Sequence, residues 1–269
     1  MDYVNCELCP RRCGVNRSAG ETGFCGCPAT VLVAKTMLHA WEEPALAGSG
    51  GSGAIFFGGC TLGCKYCQNR NISRKPVGKP VDPAGLRAMM EDLIAQGAEN
   101  IDLVTPTQYL PTILPALTPK LSVPVVYNCG GYEKVETLRA LEGKIDIYLP
   151  DLKYADNALA RALSGVSDYF ETATAAIRAM TEITGPVQWN GEKLVKGTVI
   201  RHLILPGQVL IQLLHAAQQG QKHHQREHQG GQRLQHANAD LIAPWSREVT
   251  HHVDVAFAGP EHIHQHADG

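Results

Sequence analysis

The stretch that most constrains this chain runs from Gly53 to Asn69: Gly-Ala-Ile-Phe-Phe-Gly-Gly-Cys-Thr-Leu-Gly-Cys-Lys-Tyr-Cys-Gln-Asn. Ala54 to Phe57 is a short apolar run between glycines and predicts a buried strand. Cys60, Cys64 and Cys67 follow at once, so three thiols share one loop at the C-terminal end of that strand. The Cys-x3-Cys-x2-Cys spacing is too tight for two of them to pair sensibly while the third stays idle. It suits thiolates converging on one soft metal centre. Closed zinc sites and electron-transfer clusters usually take four protein ligands, so three local ones leave a position open for chemistry. A zinc knuckle that borrows its fourth ligand elsewhere is the plainer alternative.

With Tyr66 as the aromatic of Cys-x3-Cys-x-aromatic-Cys, the loop resembles that of the radical S-adenosylmethionine enzymes. The resemblance implies that Cys60, Cys64 and Cys67 hold a [4Fe–4S] cluster whose fourth iron binds S-adenosylmethionine. One electron then cleaves the sulfonium and releases a 5′-deoxyadenosyl radical. Gly58-Gly59 before the loop and Gln68-Asn69 after it fit that context.

Composition sets the outer bounds. The chain has 269 residues, 44% of them hydrophobic, which is enough for one large domain or a domain with an appendage. A net charge of −2 provides no bulk field for nucleic acid or an anionic membrane, so neither is expected as a partner. The opening Met-Asp-Tyr-Val-Asn-Cys has no basic and apolar leader pattern, and no run reaches membrane-spanning length. The expected compartment is the cytoplasm. There, nine cysteines clustered at ligand spacing predict metal binding rather than disulfides.

Residues 1–47 read as a Cys-rich N-terminal extension. Cys6, Cys9 and Cys13 are followed by Cys25 and Cys27, with Pro10 and several glycines between and few apolar residues to fold the segment. Four thiolates on a metal would staple it. The candidate ligands are Cys6, Cys9, Cys13 and one of Cys25 or Cys27, with Cys25 taken first. Zinc and an auxiliary iron–sulfur cluster are equally suited, and free structural thiols are the bland alternative. Val31 to Ala34 predicts a strand, and Gly48 to Gly53 a flexible turn.

Residues 48–207 alternate strand and helix. Asp82 to Gln96 is a predicted helix, with Asp82 as N-cap, Pro83 at the first helical position and Gly97 as the stop. Strands are expected at Ile101 to Val104, Val123 to Tyr127, Ile145 to Leu149 and Thr198 to Leu205. Helices are expected at Thr107 to Leu117, Tyr132 to Leu141, Asn157 to Leu163 and Tyr169 to Ile183. This is the pattern of βα units on a parallel sheet, an α/β fold with its site at the C-terminal strand ends. With the cysteine loop after the first strand, the architecture expected is a partial TIM-like barrel. Polar residues stand at the predicted strand ends as that arrangement requires: Thr105-Pro106-Thr107, Asn128-Cys129, Asp151 and Lys153, and Arg201 and His202.

A narrower resemblance covers residues 5 to about 207. It rests on Cys-Glu-Leu-Cys-Pro-Arg-Arg-Cys, Trp-Glu-Glu-Pro, Phe-Phe-Gly-Gly-Cys, Leu-Val-Thr-Pro-Thr-Gln-Tyr, Tyr-Asn-Cys-Gly-Gly-Tyr-Glu and Tyr-Leu-Pro-Asp-Leu-Lys-Tyr. These segments resemble radical S-adenosylmethionine proteins similar to pyruvate formate-lyase activating enzyme. The resemblance implies a (β/α)6 barrel and a cofactor site at Thr105, Asn128, Asp151, Lys153 and Arg201. Lys153, of the Asp-x-Lys motif, would hold the cofactor carboxylate as a point charge, and Arg201 would approach the same ligand. Thr105-Pro106-Thr107 stands in place of the family's Gly-Gly-Glu, so the glutamate that binds the cofactor amine is absent here. The implied partners are S-adenosylmethionine and an electron donor such as flavodoxin or ferredoxin; the hydrogen donor could be a protein substrate, whether a glycine in a glycyl-radical enzyme or another peptide, or a small molecule. No catalytic residue can be named from the sequence.

After Pro206-Gly207 the pattern ends. Residues 208–269 hold ten of the twelve histidines, ten glutamines and no cysteine. They read as a coding sequence in the wrong frame or an unrelated fusion, which would interrupt the barrel after about the fifth strand. A genuine His-rich metal-binding tail through His223, His224 and His228, or His262, His264 and His266, is the alternative. Two further functions compete with the radical enzyme: an iron–sulfur or zinc electron-transfer protein, and an inactive truncated product.

Overall fold

The computed structural model describes residues 1–203 and the two-residue strand Val255–Ala256. The readings placed on the other residues after 203, the tail among them, lie outside the described residues. In chain order the elements are β1 (Val31–His39), α1 (Pro44–Ala47), β2 (Ser52–Phe57), α2 (Arg70–Ser73), β3 (Lys79–Val81) and α3 (Pro83–Ala95). They continue with β4 (Asn100–Val104), α4 (Leu110–Ala116), β5 (Val125–Cys129), α5 (Val135–Arg139) and β6 (Ile147–Pro150). Then come α6 (Asn157–Ser164), α7 (Tyr169–Thr184), β7 (Gln188–Asn190), β8 (Lys193–Thr198), β9 (Ile200–Arg201) and β10 (Val255–Ala256).

Eight strands form one mixed sheet in the order β3-β1-β2-β4-β5-β6-β8-β7. Its centre is parallel and sequential, because β2, β4, β5, β6 and β8 each pair in parallel with the next. The edges are antiparallel: β1 on β2, β3 on β1, and β7 on β8. β9 continues beyond β8 and pairs in parallel with β10. Among the described residues, no helix is long and apolar enough to cross a membrane.

Local chemistry sets the boundaries. Asp82 caps α3 by accepting the Gly85 N–H at 2.7 Å, and Pro83 occupies the first turn as expected. β5 begins two residues later than the pattern suggests because Pro124 has no N–H for the ladder, while its carbonyl still accepts the Ile101 N–H. As a result Asn128 and Cys129 lie within the strand. α5 is shorter than Tyr132 to Leu141, because Gly131 (φ +78°) turns the chain and the Tyr132 and Glu133 side chains turn inward. Ser52 and Gly53 belong to β2 rather than to a flexible turn. The expected strand from Thr198 is split: β8 starts at Lys193 in a hairpin with β7, ends at Thr198, and Val199 separates it from β9.

The two faces of the sheet differ. Ile101, Leu103, Tyr127 and Tyr148 pack with Leu86, Met90, Ile113 and Met180 of the helices in the main core. Alternate residues face the other way, and there the apolar set is small: Leu46, Val126, Ile147, Leu149, Leu194 and Val199. Asp102 and Asn128, also buried, stand on strands that carry this second face.

Candidate metal and cofactor site

The cysteine loop leaves β2 through Gly58 and Gly59. A Cβ on Gly58 would meet the Val77 carbonyl oxygen at 2.4 Å, and one on Gly59 would meet Cys27 Sγ at 2.1 Å. Gly59 also has φ +79°, so both the space and the conformation call for glycine. From below, the Gln108 side chain donates to the Gly58 and Gly59 carbonyls at 3.1 and 3.3 Å and to the Thr105 carbonyl at 2.8 Å. Thr105 itself has φ +59°, an uncommon conformation for a β-branched residue, at the end of β4.

Cys60, Cys64 and Cys67 all pack into one apolar cluster with Leu62, Tyr66, Tyr154 and Tyr169. The Leu62 N–H points at Cys60 Sγ (3.4 Å) and the Ser73 hydroxyl at Cys67 Sγ (3.4 Å). Burial pushes the Cys60 thiol up, against the pull of the Gly63 and Leu62 backbone N–H groups. Among the described residues, no three His, Cys, Asp or Glu side chains are close enough together to hold an ion as they stand. The loop nevertheless fits an iron–sulfur cluster in its chemistry. It has three thiols in one apolar wall, backbone N–H groups aimed at sulfur, and glycines where a side chain would intrude.

Beside the loop, at the strand ends, lies a charged network. Lys153 Nζ donates to Asp151 Oδ2 at 2.6 Å, and Arg201 Nε donates to Asp151 Oδ1 at 2.9 Å. Arg201 also reaches Glu42 Oε1 at 3.1 Å and Asn128 Oδ1 at 2.6 Å. Asn128 Nδ2 donates to Asp102 Oδ2 at 3.2 Å and to Glu42 Oε2 at 3.4 Å. Burial works against every charge here. At Asp151 it raises the carboxyl, but Lys153 and Arg201 outweigh it and hold the group below the usual range. Burial pulls the Lys153 ammonium down, and Asp151 and Cys64 more than restore it. Cys64 is thus close enough to act on Lys153. Asp102 is fully buried, and desolvation with Glu42 beside it drives its carboxyl well above the usual range. Tyr169 locks the wall: it accepts the Lys153 backbone N–H at 2.8 Å, and its hydroxyl lies 2.8 Å from the Asp151 carbonyl.

Residues 46–105 match the 4Fe-4S single cluster domain. That segment contains three cysteines, Cys60, Cys64 and Cys67, so the match supports iron–sulfur binding by this loop. The chain is also 31% identical over 216 residues to an uncharacterized protein of Methanocaldococcus jannaschii. The matched stretch is 76% of this chain and 58% of that protein, so the chain spans little more than half the length of the curated relative it matches.

The structure brings Asn128, Asp151, Lys153 and Arg201 into one network, with Lys153 next to the cysteine loop. Thr105 stands apart from their hydrogen bonds, tied instead to Gln108 and, through its N–H, to the Asn128 carbonyl at 2.8 Å. Two acidic residues, Glu42 and Asp102, join them, and a third, Glu133, lies buried nearby; sequence reasoning singled out none of the three. Glu42 lies in the Trp-Glu-Glu-Pro segment, and Asp102 is hidden inside a strand read as apolar. Glu133 is buried behind the wall, where Thr107 Oγ1 lies 3.0 Å from both of its carboxyl oxygens and Tyr127 donates at 3.3 Å. Burial pushes Glu133 up to about 8. Its signal was the end of Tyr-Asn-Cys-Gly-Gly-Tyr-Glu, a charge directly after a glycine turn.

The second set of thiols gathers elsewhere. Cys6, Cys9, Cys13 and Cys25 line one small cavity of about 20 Å3 under the loop. Cys27 turns away into the main core, its thiol donating to the Cys25 and Gly58 carbonyls.

Proposed function

We propose that the chain is a radical S-adenosylmethionine enzyme in which Cys60, Cys64 and Cys67 hold a [4Fe–4S] cluster and leave one iron free for S-adenosylmethionine. When bound, the cluster would supply the single electron for reductive cleavage of the cofactor's sulfonium, the chemistry that yields methionine and a 5′-deoxyadenosyl radical able to take hydrogen from a substrate. The observation that carries this reading is the Asp151–Lys153–Arg201 wall beside the cysteine loop. An electron carrier needs no such wall.

In this reading Lys153 offers the cofactor carboxylate a compact positive charge, already aimed and desolvated, and Asp151 holds it in place. Arg201 is braced by Asp151, Glu42 and Asn128, so it adds positive potential without moving. Backbone carbonyls near Thr105 take the amine in place of the missing glutamate. Tyr66, Tyr154 and Tyr169, packed edge to face, keep water from the loop. The architecture implied is a partial barrel of six βα units, with β2, β4, β5, β6 and β8 as its first five strands. Flavodoxin or ferredoxin would supply the electron, in the cytoplasm, and the hydrogen donor would be a protein partner. Anaerobically reconstituted chain, given dithionite and S-adenosylmethionine, should form 5′-deoxyadenosine. Iron-loaded chain that forms none would favour the electron carrier.

A further inference from the structure

The cavity lined by Cys6, Cys9, Cys13 and Cys25 has two further walls, Arg11 and Arg17. Arg17 is only 2% exposed, and a buried guanidinium ordinarily has a carboxylate partner. Among the described residues, neither Arg11 nor Arg17 takes part in an ion pair. Arg17 instead donates to the Cys27, Pro28 and Gln108 carbonyls and points Nη1 at Cys6 Sγ, 3.7 Å away. Arg11 donates to the Thr61, Leu62, Ser164 and Gly165 carbonyls and stacks on Phe24. Two positive charges therefore face a chamber whose only acidic groups are thiols.

We infer that Cys6, Cys9, Cys13 and Cys25 form a closed tetrathiolate site for a single soft divalent ion of the zinc type. The charges balance: four thiolates around a divalent ion leave two net negative charges, and Arg11 and Arg17 supply two positive ones. The cavity between the thiols, about 20 Å3, suits a single ion. The four thiols share this cavity but stand too far apart to hold an ion as they are, so binding draws them inward on a backbone that already turns them to one side. Cys6, Cys9 and Cys13 ride on a short hairpin closed by Cys6 N–H to the Val15 carbonyl and Gly14 N–H to the Cys6 carbonyl, both 3.0 Å. Phe24 N–H points at Cys13 Sγ at 3.4 Å, and a Cβ on Gly23 would strike that sulfur at 2.8 Å. Binding the ion deprotonates four thiols and releases their protons to solvent, with no change of oxidation state. Because Arg11 grips Thr61 and Leu62, inside the Cys60–Cys64 spacing, the ion also steadies the cysteine loop.

The test uses the full chain with Cys60, Cys64 and Cys67 all changed to Ser, so that the loop cannot compete and the result does not depend on the radical reading. Titrated with cobalt and then zinc, it should bind one ion per chain, show the visible absorption of tetrahedral tetrathiolate cobalt, and lose it to zinc. Adding Cys25→Ser should weaken zinc binding at least a hundredfold, while Cys27→Ser should leave it within a few-fold. Arg17→Gln should weaken it about tenfold. The same titration on the unmodified chain guards against a misfolded variant. No thiolate–cobalt absorption in the unmodified chain, about four irons per triple-variant chain after anaerobic reconstitution, or unchanged binding in Cys25→Ser would each overturn the inference.

Discussion

The two cysteine sets are built in opposite ways. Cys60, Cys64 and Cys67 hang from the end of a buried parallel strand and face a wall of tyrosines on one side and Lys153 on the other. Cys6, Cys9, Cys13 and Cys25 have no strand beneath them. Their segment is held by arginine side chains reaching backbone carbonyls, and its thiols surround a cavity instead of bordering a charged network. In the reading proposed here, the regular scaffold carries three thiols and leaves a ligand position open, whereas the irregular one carries four and closes. On that reading, thiol number and backbone support would separate a reactive centre from a structural one.

The largest expected break in this comparison is Cys64→Ala. Two thiolates cannot retain a cluster, so iron content after reconstitution should fall to background, whereas Cys13→Ala should leave iron on the loop intact. Equal iron loss in both variants would erase the distinction between the sets.

Glu133 is buried with Thr107 and Tyr127 behind the charged wall, and its charge bears on Cys9 of the N-terminal set and on Cys129 of β5. Its folded-state proton is held up to about 8, against an unfolded value of 4.5. The stabilising proton is therefore present in full below the unfolded value and is lost as pH rises through about 8. Glu133→Gln keeps the hydrogen-bonding shape without the charge. At pH 9 it should exceed the parent in urea-unfolding stability by on the order of a few kcal/mol, and at pH 4 the two should nearly match. Parallel pH profiles from pH 4 to 9 would show that Glu133 does not titrate this way.

Lys153→Ala should weaken S-adenosylmethionine binding roughly ten- to hundredfold, about 1.5–3 kcal/mol, while iron content holds. Lys153→Arg should recover only part, because a planar fork approaches a carboxylate differently from a point charge. Unchanged affinity in iron-loaded Lys153→Ala would return the residue to a structural partner of Asp151. The smallest effect expected is at the tie between the regions. Arg11→Ala removes hydrogen bonds that are partly open to solvent, so about 1–2 kcal/mol of stability should be lost. Alkylation of Cys13 should quicken while iron on the loop stays unchanged, and an unaltered alkylation rate would mean that Arg11 does not hold the extension down.

Much of the scaffold was legible in the residues. The Ala54–Phe57 run, the Asp82-Pro83 helix start and the strand–helix alternation lie where periodicity and capping chemistry put them. The hairpin of β7 and β8 was missed even though Asn190-Gly191 is a turn dipeptide, because Trp189 and Leu194 offer little alternation around it. The charged wall was half legible. Asp151, Lys153 and Arg201 follow strand ends, where polar residues draw notice. Asp102 sits within Asn-Ile-Asp-Leu-Val, and its meaning depends on which face it turns to, a property of the assembled sheet. Glu42 reaches Arg201 across 159 positions of sequence, a pairing that only the fold creates. Which of Cys25 and Cys27 faces the thiol cavity likewise depends on Gly59, whose missing side chain lets Cys27 sink into the core.

The most direct measurement is the EPR spectrum of the reduced, reconstituted chain with and without S-adenosylmethionine. A loop that holds a cluster through three thiols beside a prepared cationic wall predicts a [4Fe–4S]+ signal whose g values shift on adding the cofactor, with the shift lost in Lys153→Ala at the same cofactor concentration. A cluster signal that is identical with and without saturating S-adenosylmethionine would contradict the account, because it would mean that no iron position is open to the ligand.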